Sequence, residues 1–385
     1  MKDAIKMGLR SLIYRKKQYR SLFLVCVFGI AISLFAQSIV SGMISSLLYK
    51  AKIYYGGDLQ FIGGDFYSKQ DYKENIPLLK ELFPQDTVIS PRFDFDPDYA
   101  ALYFEGMEIR LRMVKGIDFS KEKDLFQKLN FFEGSPNDVF GSNGILISKK
   151  VADSLSVHAG DSLTFLLKNL ENELDTMEVV VKGVFVDSSF FGMYTSYMDI
   201  DALRSAYGMP LDVANRIVIS FPDRDSAVND VETYQAGLEE YFNMFPYGEG
   251  KSVFYDFLHD GKFSEPTYAL IPLDENLKEV QILIDAMHGI ADFVIVTLIL
   301  IIIIGISSTY RVLVMKRSNE IGIYMAIGMR RRGVRKILLS ENFVLLISGC
   351  SAGFLLSLLL CYFTKFLNFS FIPAFDLFLS NGVIA

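Results

Sequence analysis

Residues able to make or break bonds are few in this chain and poorly spaced for it. Histidines stand at 158, 259 and 288, none in an H-E-x-x-H helix, so a zinc hydrolase has no ligand set. Cys26, Cys350 and Cys361 all fall in strongly apolar stretches, which leaves the aqueous part no thiol for a disulfide or a thiolate–metal site. No G-x-x-x-x-G-K-[ST] cradles a nucleotide, and the G-x-S-x-G at 349–353 lies inside an apolar run rather than at a strand-to-helix turn, so it presents no serine nucleophile. The pairs Gly56-Gly57 and Gly63-Gly64 lack a following helix start at phosphate-binding spacing and read as turns. The reading therefore assigns no catalytic residue, no metal ligand and no cofactor to this chain.

What remains is the chemistry of recognition, concentrated in residues 311–341. This insert carries Arg311, Lys316, Arg317, Arg330, Arg331, Arg332, Arg335 and Lys336 against only Glu320 and Glu341. A short loop so rich in arginine and lysine stays on the cytoplasmic side of a membrane. Ile321, Ile323, Tyr324 and Ile327 at near-helical spacing predict a short amphipathic helix, with Gly322 and Gly328 allowing a close approach or a turn. A soluble partner with a cleft could grip such a helix, while the basic residues meet anionic headgroups or acidic partner side chains. An ordinary positive-inside loop touching only lipid has the same spacing, and spacing alone leaves both open.

The insert is positioned by apolar runs at 290–308 and 343–363, each long enough to cross about 30 Å of hydrocarbon. A hydrophobic fraction of 51% fits a membrane protein, yet 22% charged residues require a large soluble part as well. The net charge of −7 hides an asymmetry: segments 1–20 and 311–341 carry about +6 each, leaving about −19 for the rest. That asymmetry reports topology and gives no reason to expect nucleic-acid binding. Residues 1–20 read as a cytoplasmic amphipathic helix in the membrane interface, and 21–44 as a first, retained span whose apolar core is too long for a secretory signal.

Residues 49–272 read as an acidic extracytoplasmic domain of mixed α/β type. Apolar alternation predicts strands at 58–62, 101–104, 109–115, 144–147, 162–167, 177–186 and 216–221, and helices at 72–83, 149–155, 199–207 and 226–245. Phe93, Phe95, Tyr99, Tyr103 and Phe104 crowd one segment, as core or as a candidate groove for an acyl chain or peptide. A proline-bounded joint at 266–272 ends the domain. Residues 274–310 then predict one unbroken stalk and second span, with Asp292 as an interfacial carboxylate near its outer end. A third span follows at 342–364. Residues 365–385, apolar but broken by Pro373, Asp376 and Asn381, read as an outer loop.

The stretch RSNEIGIYMAIG at 317–328, followed by MRRRGVRKILLSE and an apolar helix, resembles the FtsX-like, MacB-type permeases of ABC transporters. Glu320, Ile321, Gly322, Ala326 and Gly328 match the family's loop, and Glu341 matches the carboxylate that opens the next span; Met325 stands where a basic residue is common. AIKMGLRSLIYRKKQYRSLFL at the start is similar to the family's leading amphipathic helix, and GILISKKVADSLSVHAGDSLTF to its extracytoplasmic domain. The resemblance implies an α-helical transmembrane bundle in the bacterial inner membrane, with a fourth span expected beyond the three seen. It further implies a non-catalytic permease whose 317–332 loop couples to a cytoplasmic ATPase dimer holding ATP and Mg. A second permease copy, identical or homologous, and a periplasmic carrier are the other implied partners, and the layout is most similar to lipoprotein-releasing permeases. Signalling to a cell-wall hydrolase and a receptor without an ATPase are the alternatives.

Overall fold

The computed structural model describes residues 14, 16–65, 69–95, 100–127, 129–187, 189, 191–222, 230–261, 265–364 and 366. The chain divides into two compact units, one made of Met1–Ile44, Leu283–Phe371 and Asn381–Ala385, the other of Ser45–Ile282 and Ile372–Ser380.

Eleven helices are described. They are α1 (Lys16–Tyr55), α2 (Tyr72–Leu82), α3 (Phe119–Gln127), α4 (Lys149–Leu155), α5 (Ile200–Tyr207) and α6 (Val231–Leu238), then α7 (Lys251–His259), α8 (Leu273–Asn276), α9 (Lys278–Lys316), α10 (Ser318–Ala326) and α11 (Arg331–Thr364). Among the described residues three stretches are long and apolar enough to cross a membrane: Tyr19–Tyr55, Ile284–Lys316 and Arg331–Thr364. Helix α1 does not stop near residue 44 but continues to Tyr55. The expected helix from 274 is interrupted once, at Leu277, and runs unbroken from Lys278.

In the first unit the helices meet through small residues. Gly349, Gly353 and Ser357 recur every four residues along α11 and are buried. A Cβ on Gly349 would lie 2.8 Å from Cys26 Cβ, and one on Gly353 would lie 2.8 Å from the Val27 carbonyl oxygen. Backbones come this close only where no side chain intervenes, the contact that packs helices when lipid removes the hydrophobic driving force. Outward residues such as Phe293, Ile304 and Leu355 stay exposed.

The second unit is built on one mixed sheet. Its strands are β1 (Leu59–Gly64), β3 (Val88–Phe95), β4 (Ala100–Phe104), β5 (Met107–Arg110), β6 (Met113–Ile117), β7 (Phe131–Gly134), β8 (Gly144–Ser148), β9 (Ser162–Lys168), β10 (Leu174–Phe185), β11 (Thr195–Asp199), β13 (Arg216–Ser220) and β14 (Thr267–Pro272), while β2 (Gln70–Asp71) and β12 (Val213–Ala214) pair separately. The order is β14-β1-β13-β3-β6-β11-β8-β10-β9-β4-β5, with β7 branching from β10. The joint expected at 266–272 is the edge strand β14, where a proline at either end costs no ladder bond. Gly63 and Gly64 end β1 rather than forming a separate turn. Residues 109–115 split into β5 and β6, and of the helix expected at 226–245 the described part is α6, which ends at Leu238.

A row of charges is buried on one face of this sheet. Register sets Asp94 opposite Lys115 and Arg92 opposite Arg216. Lys115 and Arg216 share the Asp94 carboxylate, Arg216 at 3.0 Å, and Lys115 lies 4.1 Å from the Tyr54 ring centroid. Arg92, fully buried, forks onto Glu122 and donates from Nη1 to the Ile53 carbonyl at 2.7 Å. That carbonyl belongs to the last turn of α1, where helical geometry leaves it no partner and the helix dipole favours a cation. Lys50–Asp187 at 3.3 Å and Lys52–Asp58 at 2.6 Å tie the same turns to neighbouring segments. Gly56, at φ +89°, lets the chain leave the helix here, since a Cβ would lie 2.7 Å from the Arg92 guanidinium carbon.

Candidate functional site

The predicted recognition insert folds as a short helix between two corners. The first corner is Arg317, at φ −100° and ψ 9°, which ends α9 and precedes α10. The second is Gly328, at φ +91°, a left-handed position that glycine adopts without strain. There the Gly328 amide donates to the Met325 carbonyl at 3.1 Å and the Met329 amide to the Tyr324 carbonyl at 3.0 Å, the paired closure of a Schellman turn. The chain reverses and α11 begins at Arg331.

Helix α10 buries none of its residues. Ile323 is 56% exposed and Ile327 79%, with Tyr324 and Met325 beside them and Ile321 half-buried. Ala326 is exposed too, and a Cβ on Gly322 would meet no atom within 4 Å. Gly328 thus serves the turn, whereas the smallness of Gly322 serves no contact with a described residue. Arg330, Arg331 and Arg332 are exposed and form no ion pair with a described residue. Together they make an apolar ridge with a basic flank, facing away from the unit.

Arg317 and Glu341 do the opposite. Arg317 is buried, Glu341 is fully buried, and the guanidinium forks onto the carboxylate through Nη1 and Nη2, the latter at 3.3 Å. Tyr19, from α1, completes the group: its hydroxyl donates to Glu341 Oε2 at 2.8 Å and accepts from Arg317 Nη1 at 3.0 Å. Glu320, half-buried, accepts from Arg317 Nε at 3.3 Å. Leu22, Cys26 and Leu345 close the apolar surround. Sequence reasoning grouped Arg317 with the outward basic residues and missed Tyr19 altogether. The signal was Glu341, a carboxylate opening an apolar helix, because such a charge needs a partner.

The aromatic segment is divided. Phe93 and Phe95 are core, packed on Tyr207 with ring centroids 5.5 and 4.9 Å away, and Phe104 packs on the same cluster. Tyr103 is half-buried, and Tyr99 lies outside the described residues. Among the described residues no group of three or more histidine, cysteine, aspartate or glutamate side chains is placed to hold a metal.

Three long apolar helices bracketing a basic, outward-facing turn, with a large α/β unit on the same chain, define a helical membrane protein. Residues 293–385, from within α9 onward, match the family model described as FtsX-like permease C-terminal. The solved periplasmic region of MacB from Actinobacillus actinomycetemcomitans is similar at 11% identity, over 59% of this chain and 94% of that one, with a TM-score of 0.35. No curated protein matches the chain.

Proposed function

We propose that this chain is the non-catalytic permease subunit of an ABC transporter, and that α10 is the element a cytoplasmic ATPase grips. The observation that carries the reading is α10 itself: a helix with every residue off the core, an apolar ridge, a glycine facing open space and three exposed arginines, held between two membrane-length helices. A groove on a soluble partner would take Ile323, Tyr324 and Ile327 as anchors, with Arg330 to Arg332 meeting acidic side chains or lipid headgroups. The match to FtsX-like permeases supports the same role.

ATP and Mg belong to a pair of such ATPase subunits, which act on two permeases, two copies of this chain or one with a homologue. In the inner membrane of a bacterium, with residues 1–20 and α10 on the cytoplasmic side, closure of the ATPases moves α10. Helix α9, unbroken over 39 residues, passes that motion on. The work is delivered on the outer side, to a lipidated or amphiphilic cargo, with lipoprotein release to a periplasmic carrier as the specific reading.

The test is co-purification of the detergent-solubilised full-length chain from its own cells. An ATPase subunit and its activity come down with the wild type and are lost with Ile327→Glu, a change on a side chain that is 79% exposed. A wild-type preparation without an ATPase subunit overturns the proposal.

A further inference from the structure

Helix α10 has no buried residue, so apolar packing does not hold it in place. Its first corner, by contrast, is pinned by a single guanidinium whose three nitrogens point to different elements. Arg317 Nε reaches Glu320 on α10 at 3.3 Å, Nη2 reaches Glu341 on α11 at 3.3 Å, and Nη1 reaches both Glu341 and the Tyr19 hydroxyl on α1. All three groups of the inner triad are nearly or fully buried, at 3, 4 and 0% exposure for Tyr19, Arg317 and Glu341. Burying a charge at the end of a membrane-length helix is costly, and an apolar trio would pack the bundle as well. An apolar trio could not also hold Glu320.

From this geometry we infer that Tyr19, Arg317 and Glu341 are positioning residues that lock α10 to α1 and α11, so that a displacement of α10 is shared by both long helices rather than absorbed at the corner. The inference rests on the reading of α10 as the coupling helix for its consequence, but the lock itself is a property of this chain alone. Rigid planar forks lose little freedom per bond formed, which is why arginine rather than lysine suits such a joint.

The lock is read by hydrogen exchange of the 318–329 segment in the full-length chain in lipid nanodiscs. Glu341→Gln removes the charge-assisted bonds and raises the exchange rate of α10 about tenfold, the loss expected of one such bond. Tyr19→Phe, which keeps the ion pair, raises it about threefold and serves if the glutamine variant does not fold. The apolar double variant Arg317→Met/Glu341→Leu restores the melting temperature of the bundle yet leaves α10 exchanging fast. Unchanged exchange in both Glu341→Gln and Tyr19→Phe, or protection regained in the apolar double, overturns the lock. Where an ATPase subunit co-purifies, Glu341→Gln retains it and lowers its kcat without moving KM for ATP. If Ile327→Glu fails to release a subunit, the coupling reading falls and the exchange result still decides the lock.

Discussion

Replacing Arg92 by methionine isolates what the buried charges under the end of α1 contribute. Arg92 is fully buried and Glu122 is 4% exposed, so the variant leaves a carboxylate with neither water nor its guanidinium. Breaking one partner of a buried pair costs about 3–5 kcal/mol. The Ile53 carbonyl, whose acceptor site Arg92 fills at 2.7 Å, adds about 1 kcal/mol more. For a unit of this size each kcal/mol moves the melting temperature by about 2–4 °C, so the expected drop is roughly 8–24 °C. The melt is followed in the full-length chain by the near-UV dichroism of its tyrosines, since the chain has no tryptophan. The double variant Arg92→Met/Glu122→Leu removes both charges and should recover to within about 1–2 kcal/mol of wild type, because an apolar pair of similar volume is often no worse than an ion pair. A single-variant loss below about 1 kcal/mol, or a double variant no better than the single, would refute the argument that this pair caps α1 through mutual charge compensation.

Lys115 gives a pH signature. Burial first, then the neighbouring Arg216, outweigh the attraction of Asp94 and bring its ammonium down to about 7, while Arg216 and Lys115 hold Asp94 below the usual carboxylate range against the effect of its burial. Between about 7 and the ordinary lysine value near 10.4 the unfolded chain therefore binds the extra proton, and stability rises with pH. The melting temperature of the α/β unit should climb from pH 7 to 9.5 in the wild type and stay flat across that window in Lys115→Met; a wild-type melt independent of pH would sink the assignment. In the helical unit, Gly353→Ile places a β-branched side chain where a Cβ already lies 2.8 Å from the Val27 carbonyl oxygen, forcing α1 and α11 apart. A loss of about 1–3 kcal/mol is expected in thermal melts of the detergent-solubilised chain, against less than 0.5 kcal/mol, on the order of surface changes, for Leu355→Ile on the exposed face.

How far the sequence discloses this architecture depends on where each charge finds its partner. The turn between α9 and α11 is legible because its determinants are local: the apolar spacing of Ile321 to Ile327, and Gly328 at a position that needs a left-handed backbone. Strand β3 escapes pattern reading because it is buried on both faces from Ile89 to Phe95, with Arg92 and Asp94 among the buried residues, so no apolar–polar alternation marks it. Helix α1 likewise runs on past the apolar stretch that ends at residue 44. Its Lys50 is buried against Asp187 rather than solvated, and the helix continues to Tyr55. Arg317 is the sharpest case, since seven of the eight basic residues of its segment obey the rule of solvated positive charge and it alone is buried. Besides the adjacent Glu320, its buried partners are a tyrosine 298 positions away and a glutamate 24 positions away, separations at which no helical or strand period operates. A charge beside an apolar helix can be satisfied by water or by a distant side chain, and these differ by whole turns in where the backbone must go. Composition fixes neither choice, so buried ion pairs mark the places where tertiary structure overrides local pattern, and in this chain they hold both the corner at Arg317 and the last turns of α1.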